Sequence, residues 1–360
     1  MSANVLPSTL PILVAVLTLL AVRTRGVILY GTGDPDANTS EPTGELAGSG
    51  WQYQGSWFGF LGTPVAPQFF IAAKHIGGSI GQWFSWQGRF YRTTQFFDDP
   101  NNDFRLWRVC GTFPSYAPLY RNSDEAGKTL VVFGVGTQRG EPVLVNNQLR
   151  GWQWGVLDGR MRWGQNQVAN LTSTTGQPPL NILRATFDMD VGPNEAHLSR
   201  GDSSGGVFIQ DAGVWKLAGI AYASDGVYNT APEGGGFEAA LFNAAGLYEQ
   251  NGDQWTLLPP GMLRPRPGAF YATRISSSAA WIESVISNPA NTAAELMLQS
   301  APEPGGPYAD EPGATLAGEN TFIAPRSVET AYYRLRNCQA THIQSIVLNG
   351  NNVAIRFAIE

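Results

Sequence analysis

The sequence predicts an all-β protein of barrels or sandwiches, on three observations. Its 360 residues include 42 glycines and 24 prolines, so turn formers punctuate the whole chain. Between the turns, short apolar stretches rich in aromatic and β-branched residues recur at fairly even spacing. Strand and helix patterns do not alternate, and no repeat of fixed period is visible, which argues against a parallel α/β sheet or a solenoid. Hydrophobic residues make up 43% against 14% charged, enough for a sizeable core and too apolar for a disordered chain.

Taken in order, Leu10 to Val22 is an apolar-rich run that fits the core of a secretory signal and is short for a bilayer span. No Lys or Arg precedes it, and Arg23 and Arg25 follow. Residues 1–26 are therefore expected to be a signal peptide removed near Thr24-Arg25-Gly26, with an uncleaved anchor as the alternative. The mature protein is expected to be secreted or at the cell surface. Residues 32–50 read as an irregular loop. From Trp51 the strand-like segments are 51–60, 68–76, 81–87, 89–97, 103–111, 130–137, 146–155, 181–187, 205–209 and 214–223. Residues 226–268 are rich in Gly and Pro and read as a surface insertion with a short helix at Glu238 to Tyr248. A strand at Gly268 to Ile275 leads into a helix over 276–286. Its serines suit a helix start, and Trp281, Ile282, Val285 and Ile286 fall on one face. Asn288-Pro289 ends it. Beyond about residue 290, strand patterns at 294–301, 329–337, 343–350 and 352–360 predict a small separate β-sandwich.

Charge and cysteines exclude several function classes. The net charge of −6, with no run of Lys or Arg, argues against a nucleic-acid or anionic-membrane partner. The two cysteines, Cys110 and Cys338, make neither a disulfide framework nor a metal-ligand spacing, and are read as two unpaired thiols, one per domain, in preference to one long-range bridge. No metal or cofactor motif is present, so none is expected. The low cysteine count also favours a bacterial source.

The chemistry centres on Leu198-Ser-Arg-Gly201-Asp202-Ser203-Ser204-Gly205-Gly206-Val207-Phe208, an acid, two hydroxyls and glycines ahead of a strand. A serine hydroxyl becomes a nucleophile when a base takes its proton and nearby N–H groups receive the oxyanion. The chain has three histidines, His75, His197 and His342. His75 ends a strand beside Gly77-Gly78, which suits the rim of a cleft, whereas His342 reads as structural or exposed. Asp103 opens an alternating strand 28 residues after His75 and suits the acid that orients an imidazole. Each of these residues alone reads equally as turn or sheet-edge sequence.

Together, residues 27–287 resemble the trypsin/chymotrypsin-like serine proteases. Ile71-Ala-Ala-Lys-His75-Ile is similar to that family's Thr-Ala-Ala-His-Cys segment, and Asn102-Asp103-Phe-Arg-Leu-Trp to its Asp-Ile-Ala-Leu-Leu strand. Val131-Val-Phe-Gly-Val-Gly-Thr137 is similar to its Gly-Trp-Gly-Thr strand, and Leu217-Ala-Gly-Ile-Ala221 to the strand after the nucleophile. Gly201-Asp202-Ser203 with Val207-Phe208 resembles Gly-Asp-Ser-Gly-Gly-Pro-Val, and 267–282 its Pro-Gly-Val-Tyr-Thr-Arg-Val…Trp-Ile ending. The resemblance implies two packed antiparallel barrels over 27–290 with a C-terminal helix, followed by the small β-sandwich of 291–360. It implies a serine endopeptidase with His75 as base, Asp103 as orienting acid, Ser203 as nucleophile, and the N–H groups of Gly201 and Ser203 as oxyanion hole. Ser203 is preferred to Ser204 because the ungapped register keeps both Asp202 and Val207-Phe208 aligned. Asp202 would then pair with an amino terminus at Val27 if signal removal exposes it.

Substrate contacts are implied at His197, Tyr222, Ser224 and Gly268. His197 takes the place of the family's pocket-floor residue, so a preference for Lys or Arg is not expected, and Tyr222-Ala223-Ser224 replaces the family's Ser-Trp-Gly edge. The expected partner is a protein or peptide substrate, and the expected state a monomer. The C-terminal segment resembles small secreted β modules of bacteria, which implies attachment to a cell surface or substrate and no chemistry. Two alternatives stay open: a protease-like binding or adhesion protein without catalysis, and a non-proteolytic hydrolase or acyl transferase using the same three residues.

Overall fold

The computed structural model describes residues 24–261, 264–292, 296–326, 331–338 and 341–359, with backbone alone for 24, 25 and 292. The leader expected over residues 1–26 lies outside them except for its last three residues. Among the described residues, no helix is long and apolar enough to cross a membrane.

Six strands form the first barrel: β1 (Gly55–Trp57), β2 (Phe60–Ala66), β3 (Phe69–Ala73), β4 (Trp83–Trp86), β5 (Arg89–Asp98) and β6 (Phe104–Val109). They close in the order β1-β2-β3-β6-β5-β4, every pair antiparallel. Aromatic rings fill it. Phe70 and Phe84 stack at 4.1 Å and Trp57 meets Trp107 at 4.8 Å, the offset and tilted geometries that ring quadrupoles favour. All five residues of β3 are buried, so its neighbour His75 starts from a fixed support.

The second half runs β7 (Thr129–Gly134), a long hairpin β8 (Thr137–Val145) and β9 (Gln148–Leu157), β10 (Arg162–Ser173), β11 (Asn181–Thr186), β12 (Gly206–Asp211) and β13 (Val214–Ser224). Four short strands follow, β14 (Val227–Asn229), β15 (Phe237–Leu241), β16 (Tyr248–Asn251) and β17 (Gln254–Leu257), and then β18 (Ala269–Arg274). The second barrel closes as β10-β11-β18-β13-β12-β7, again antiparallel throughout. One apolar cluster runs from the first barrel through Phe133, Phe208 and Leu217 to Ile275 and Ile282 of helix α1 (Ile275–Ile286). The two barrels and the helix therefore share a core. These paired barrels match the architecture implied by the sequence resemblance.

The hairpin β8–β9 and strands β14–β17 join in a six-stranded sheet, β8-β9-β15-β14-β16-β17, outside the second barrel. This corrects the reading of 226–268 as a surface loop with a helix at Glu238 to Tyr248. Residues 239–241 pair with β9 and are buried, and Leu247 and Leu258 close a core of their own. Non-local pairing overrides the local helical spacing here.

The C-terminal residues form two further sheets. β19 (Met297–Ala301), β20 (Ala309–Asp310) and β23 (Tyr332–Arg336) make one. β21 (Thr315–Leu316), β22 (Thr321–Pro325), β24 (Thr341–Asn349) and β25 (Asn352–Ile359) make the other. Leu298 of the first sheet shares a buried cluster with Phe322, Val353, Ile355 and Phe357 of the second.

Cys110, just past β6, and Cys338, just past β23, are bonded, with Cα atoms 5.6 Å apart. This overturns the reading of two unpaired thiols. A separation of 228 positions sets no lower bound on distance once the C-terminal sheets fold back to the first barrel. Closing so long a loop corresponds to an entropic contribution of about 5 kcal/mol. A proteolytic nick between α1 and β19 should accordingly leave the two fragments joined on a gel until reductant is added, and Cys338→Ser should release them without it.

Glu195 is a second structural acid. It lies buried beside Asp188, accepting from the Asn166 amide at 3.0 Å and the Asp188 N–H at 3.0 Å. Burial, reinforced by the Asp188 charge, pushes its carboxyl up to about 8. The folded state therefore holds a proton that the unfolded chain releases, and this group's contribution to stability falls as pH rises from about 4.5 to about 8. Glu195→Gln keeps an acceptor and removes the charge. It should flatten the loss of Tm between pH 5 and pH 8.5, a change of a few kcal/mol on the order-of-magnitude scale.

Candidate active site

The loop from Ser199 to Gly206 is shaped around Asp202. Its carboxylate is buried and accepts N–H groups from Gly136 at 2.7 Å, Ser199 at 2.7 Å and Val27 at 3.2 Å, and the Ser199 hydroxyl at 2.9 Å. Glycine is required at 134 and 136, since a Cβ at either would strike that carboxylate. Val27 belongs to a chain that continues upstream, where residues 24–25 pair with 159–160. The Arg162 guanidinium holds the Gly26 carbonyl at 3.3 Å and so fixes where the Val27 N–H points. Burial pushes the Asp202 carboxyl up to about 6 against the opposing pull of its donors.

With Asp202 turned inward, the two serines separate. Ser204 has a φ of +70° and is fully buried. Its Oγ accepts the Ala73 N–H at 3.0 Å and its own N–H donates to the Ala221 carbonyl at 2.9 Å. Ser203 is half-buried, with Oγ 3.0 Å from His75 Nε2. Gly201 has a φ of +97°, a region open to glycine. Among the described residues, neither the Gly201 N–H nor the Ser203 N–H has a hydrogen-bond acceptor, unlike their neighbours Asp202, Ser204 and Gly205.

His75 sits on a single 3₁₀ turn, Lys74–Ile76, directly after β3. One Asp103 oxygen accepts its main-chain N–H at 2.9 Å, and the other pairs with ring Nδ1. A proton on Nδ1 leaves Nε2 as an acceptor facing the Ser203 hydroxyl. The Asp103 side chain is only 8% exposed, against 38% for His75, so the acid is shielded while the imidazole meets solvent. Tyr222 stands edge-on to His75 at 5.7 Å. Burial, with Asp103 adding to it, pushes the Tyr222 phenol up, so it stays neutral.

The loop ahead of Asp103 is tied to helix α1. Asn102 Nδ2 donates to Ser278 Oγ at 2.7 Å and to Ser277 Oγ at 3.1 Å, and Asn102 Oδ1 accepts the Asn181 N–H at 3.1 Å. Lys74 Nζ donates to the carbonyls of Asp99 and Asn102, each at 3.2 Å. These residues hold Asp103 in register with His75. They went unnoticed in the sequence because the partners of Asn102 are 79 or more positions away and those of Lys74 are main-chain carbonyls 25 and 28 positions away.

Beside Ser203 lies a cleft of about 280 Å³, lined by Trp154, Tyr222, Ser224, Asp225 and Glu238 among others. Tyr222 and Ser224 are where the resemblance implies substrate contact. His197 and Gly268 are not, and this corrects both assignments. His197 is fully buried between Phe187 and Phe270, with Nδ1 2.6 Å from the Leu198 carbonyl, and burial pushes its pKa down. Gly268 is buried in the backbone ladder, donating to Leu241 at 2.7 Å and accepting from Phe187 at 2.9 Å. Asp225, Trp154 and Glu238 were missed in the sequence. Glu238 falls in the stretch read as a loop, Asp225 lies just before it, and Trp154 reaches the cleft on a hairpin outside the barrel. Among the described residues, no group of three or more His, Cys, Asp or Glu is arranged to hold a metal ion.

No family model and no curated relative matches the chain. Among solved structures, the inactive form of the Ser343Ala mutant of Rv3671c from M. tuberculosis H37Rv is similar over 63% of this chain and 82% of that one. The identity is 11% and the TM-score 0.37.

Removing the Asn102 side chain leaves the buried Ser278 hydroxyl and the Asn181 N–H without their partner. Asn102→Ala should lower the unfolding free energy by about 1–3 kcal/mol, read from chemical denaturation.

Proposed function

We propose that this protein is a secreted serine endopeptidase that hydrolyses peptide bonds through an acyl-enzyme. The observation that carries this reading is the hydrogen-bonded line Asp103–His75–Ser203 beside two N–H groups without acceptors. In this reading His75 Nε2 takes the Ser203 proton as Oγ attacks the substrate carbonyl, and Asp103 stabilises the imidazolium that forms. The carbonyl oxygen becomes an oxyanion held by the N–H groups of Gly201 and Ser203. His75 returns the proton to the leaving amine, and a water activated by the same imidazole then hydrolyses the ester and regenerates Ser203. Ser204 is the weaker nucleophile candidate because its hydroxyl is buried and engaged with Ala73.

In the same reading residues 1–26 direct export. Their removal would leave the Val27 nitrogen, 3.2 Å from Asp202, as a free amine and give the buried carboxylate a cationic partner. The C-terminal sheets would serve attachment or substrate capture, tethered by Cys110–Cys338.

A serine-directed fluorophosphonate probe tests the reading. Label should map to Ser203, and the mass of the labelled chain should show whether it starts at Val27. Ser203→Ala should abolish labelling and lower turnover by about 10⁶-fold, and Asp103→Asn should lower it by about 10⁴-fold, as in unrelated triad enzymes. A folded, processed protein that takes no label would remove the proposal.

A further inference from the structure

We infer that the cavity between the C-terminal sheets and the first barrel is a binding site for a small amphiphile, an apolar body carrying one cationic head, with Glu311 as its counter-ion. The inference gives the C-terminal sheets a site and a ligand class and does not depend on the endopeptidase reading.

The cavity measures about 470 Å³, larger than the cleft beside Ser203 and within the range that holds a drug-sized molecule. Leu298 of β19 lines one wall, and Leu316 of β21 with Phe322 of β22 lines another. The first barrel supplies a third, from Gln68 just before β3 and Gly111 just after Cys110. The bond from Cys110 to Cys338, itself in the lining, fastens that wall to the C-terminal sheets. The sequence explains why space remains between them. The turn 311–314 passes through Gly313 at a φ of +76° and presents only the small Ala314 to the gap, and Gly111 has no side chain. The strands on either side of that turn, β20 and β21, are two residues each and add little cover.

Apolar surface is consequently left wet. Leu316 is 50% exposed and Ile359, also in the lining, 46%. Protein interiors seldom keep voids larger than a water molecule, and an apolar body placed here gains by removing that surface from water. Truncating one buried leucine opens about 150 Å³, so this space suits a free molecule better than a single side chain of a partner protein.

Charge sets the other end of the ligand. Glu311 is the one ionisable side chain among the described lining residues. It is half-buried, and its main-chain N–H donates to the Leu298 carbonyl at 2.9 Å. Among the described residues its carboxylate has no hydrogen bond and no ion pair. Arg336, which donates to Met297 Sδ, is paired with Asp310 at 3.4 Å. Arg326 acts on Tyr333 in opposition to Glu311 without forming an ion pair with it. A fatty carboxylate would meet like charge here. A neutral body would cover the apolar walls and leave Glu311 desolvated without a partner, which is unfavourable. A cationic head on an apolar body satisfies both demands.

Isothermal titration of the intact protein with n-octylammonium, n-octanol and octanoate tests the inference. One n-octylammonium should bind per chain, about five-fold or more tighter than n-octanol, with octanoate weakest. Glu311→Gln should bring n-octylammonium to the n-octanol value and leave n-octanol within about two-fold. Ala314→Phe fills the space and should remove binding of both. Glu311→Gln gives up no hydrogen bond, so it keeps the test open even where Ala314→Phe fails to fold, and thermal unfolding checks both variants. Lack of saturable n-octylammonium binding would overturn the inference, as would equal or tighter binding of n-octanol or octanoate. So would a preference for n-octylammonium that survives in Glu311→Gln. Fluorophosphonate labelling of Ser203 in the same samples reports on the enzyme. Labelling without binding overturns this site alone, and binding without labelling overturns the endopeptidase reading alone.

Discussion

The buried carboxylate of Asp202 is the constraint on which the site depends. An ionised side chain removed from water must be matched by donors, and here four groups converge on it from three separate segments. Those segments are residues near 27, 136 and 199, so the acid joins the start of the chain to the hairpin and to its own loop. Because Asp202 points inward, the next residue must point out, and Ser203 faces His75 while Ser204 turns under to Ala73. Two adjacent hydroxyls thus acquire different surroundings from one buried charge. Gly201 and Ser204 take the turn at positive φ, and among the described residues the N–H groups of Gly201 and Ser203 are left without acceptors.

A second anchor works from the other barrel. Asp103 holds His75 by ring and by main chain, so the residue is fixed at its backbone and the imidazole cannot rotate without losing its Nδ1 contact. The acid is itself held through Asn102 to Ser277 and Ser278 at the start of α1, a helix that follows directly from the last strand of the second barrel. The first barrel therefore supplies His75, the second Ser203, and α1 ties the loop before Asp103 to the last strand of the second barrel. In the proposed reaction, preorganisation of this kind favours the charge-separated state formed when a proton moves from Ser203 to His75.

Much of this was legible in the sequence, and the gaps have physical causes. Period-two patterns and glycine turns marked most barrel strands, since strands half-buried in a closed barrel alternate in the usual way. His75, Asp103 and Ser203 were legible as an ordered set, and the structure brings them together. Residues 226–268 were misread because Ala239 to Leu241 is stabilised by pairing with β9, a partner some 90 positions away that no local window contains. The bond between Cys110 and Cys338 was missed for the same reason, since two cysteines carry no spacing signal of their own. His197 was misplaced because alignment fixes a position along the chain and not a side-chain direction. Phe187 and Phe270 enclose its ring, and the Leu198 carbonyl holds Nδ1.

The appended sheet reaches the cleft without entering the His75–Asp103–Ser203 line. Its two contributing segments leave the second barrel at different points, after β7 and after β13, pair through β9 and β15, and share the core around Val143, Tyr228 and Leu247. Neither segment supplies a residue to the His75–Asp103–Ser203 line, yet together they bring Trp154 and Glu238 to the cleft. Asp225 sits at the junction where β13 ends and the second segment begins, held to β18 by the Ala269 N–H and the Tyr271 hydroxyl. A barrel strand fixes the carboxylate and the added sheet shapes what reaches it. Sheet and loop are nonetheless coupled, because Arg200 of the Asp202 loop pairs with Glu238 and the Thr137 N–H of β8 donates to Ser199 Oγ.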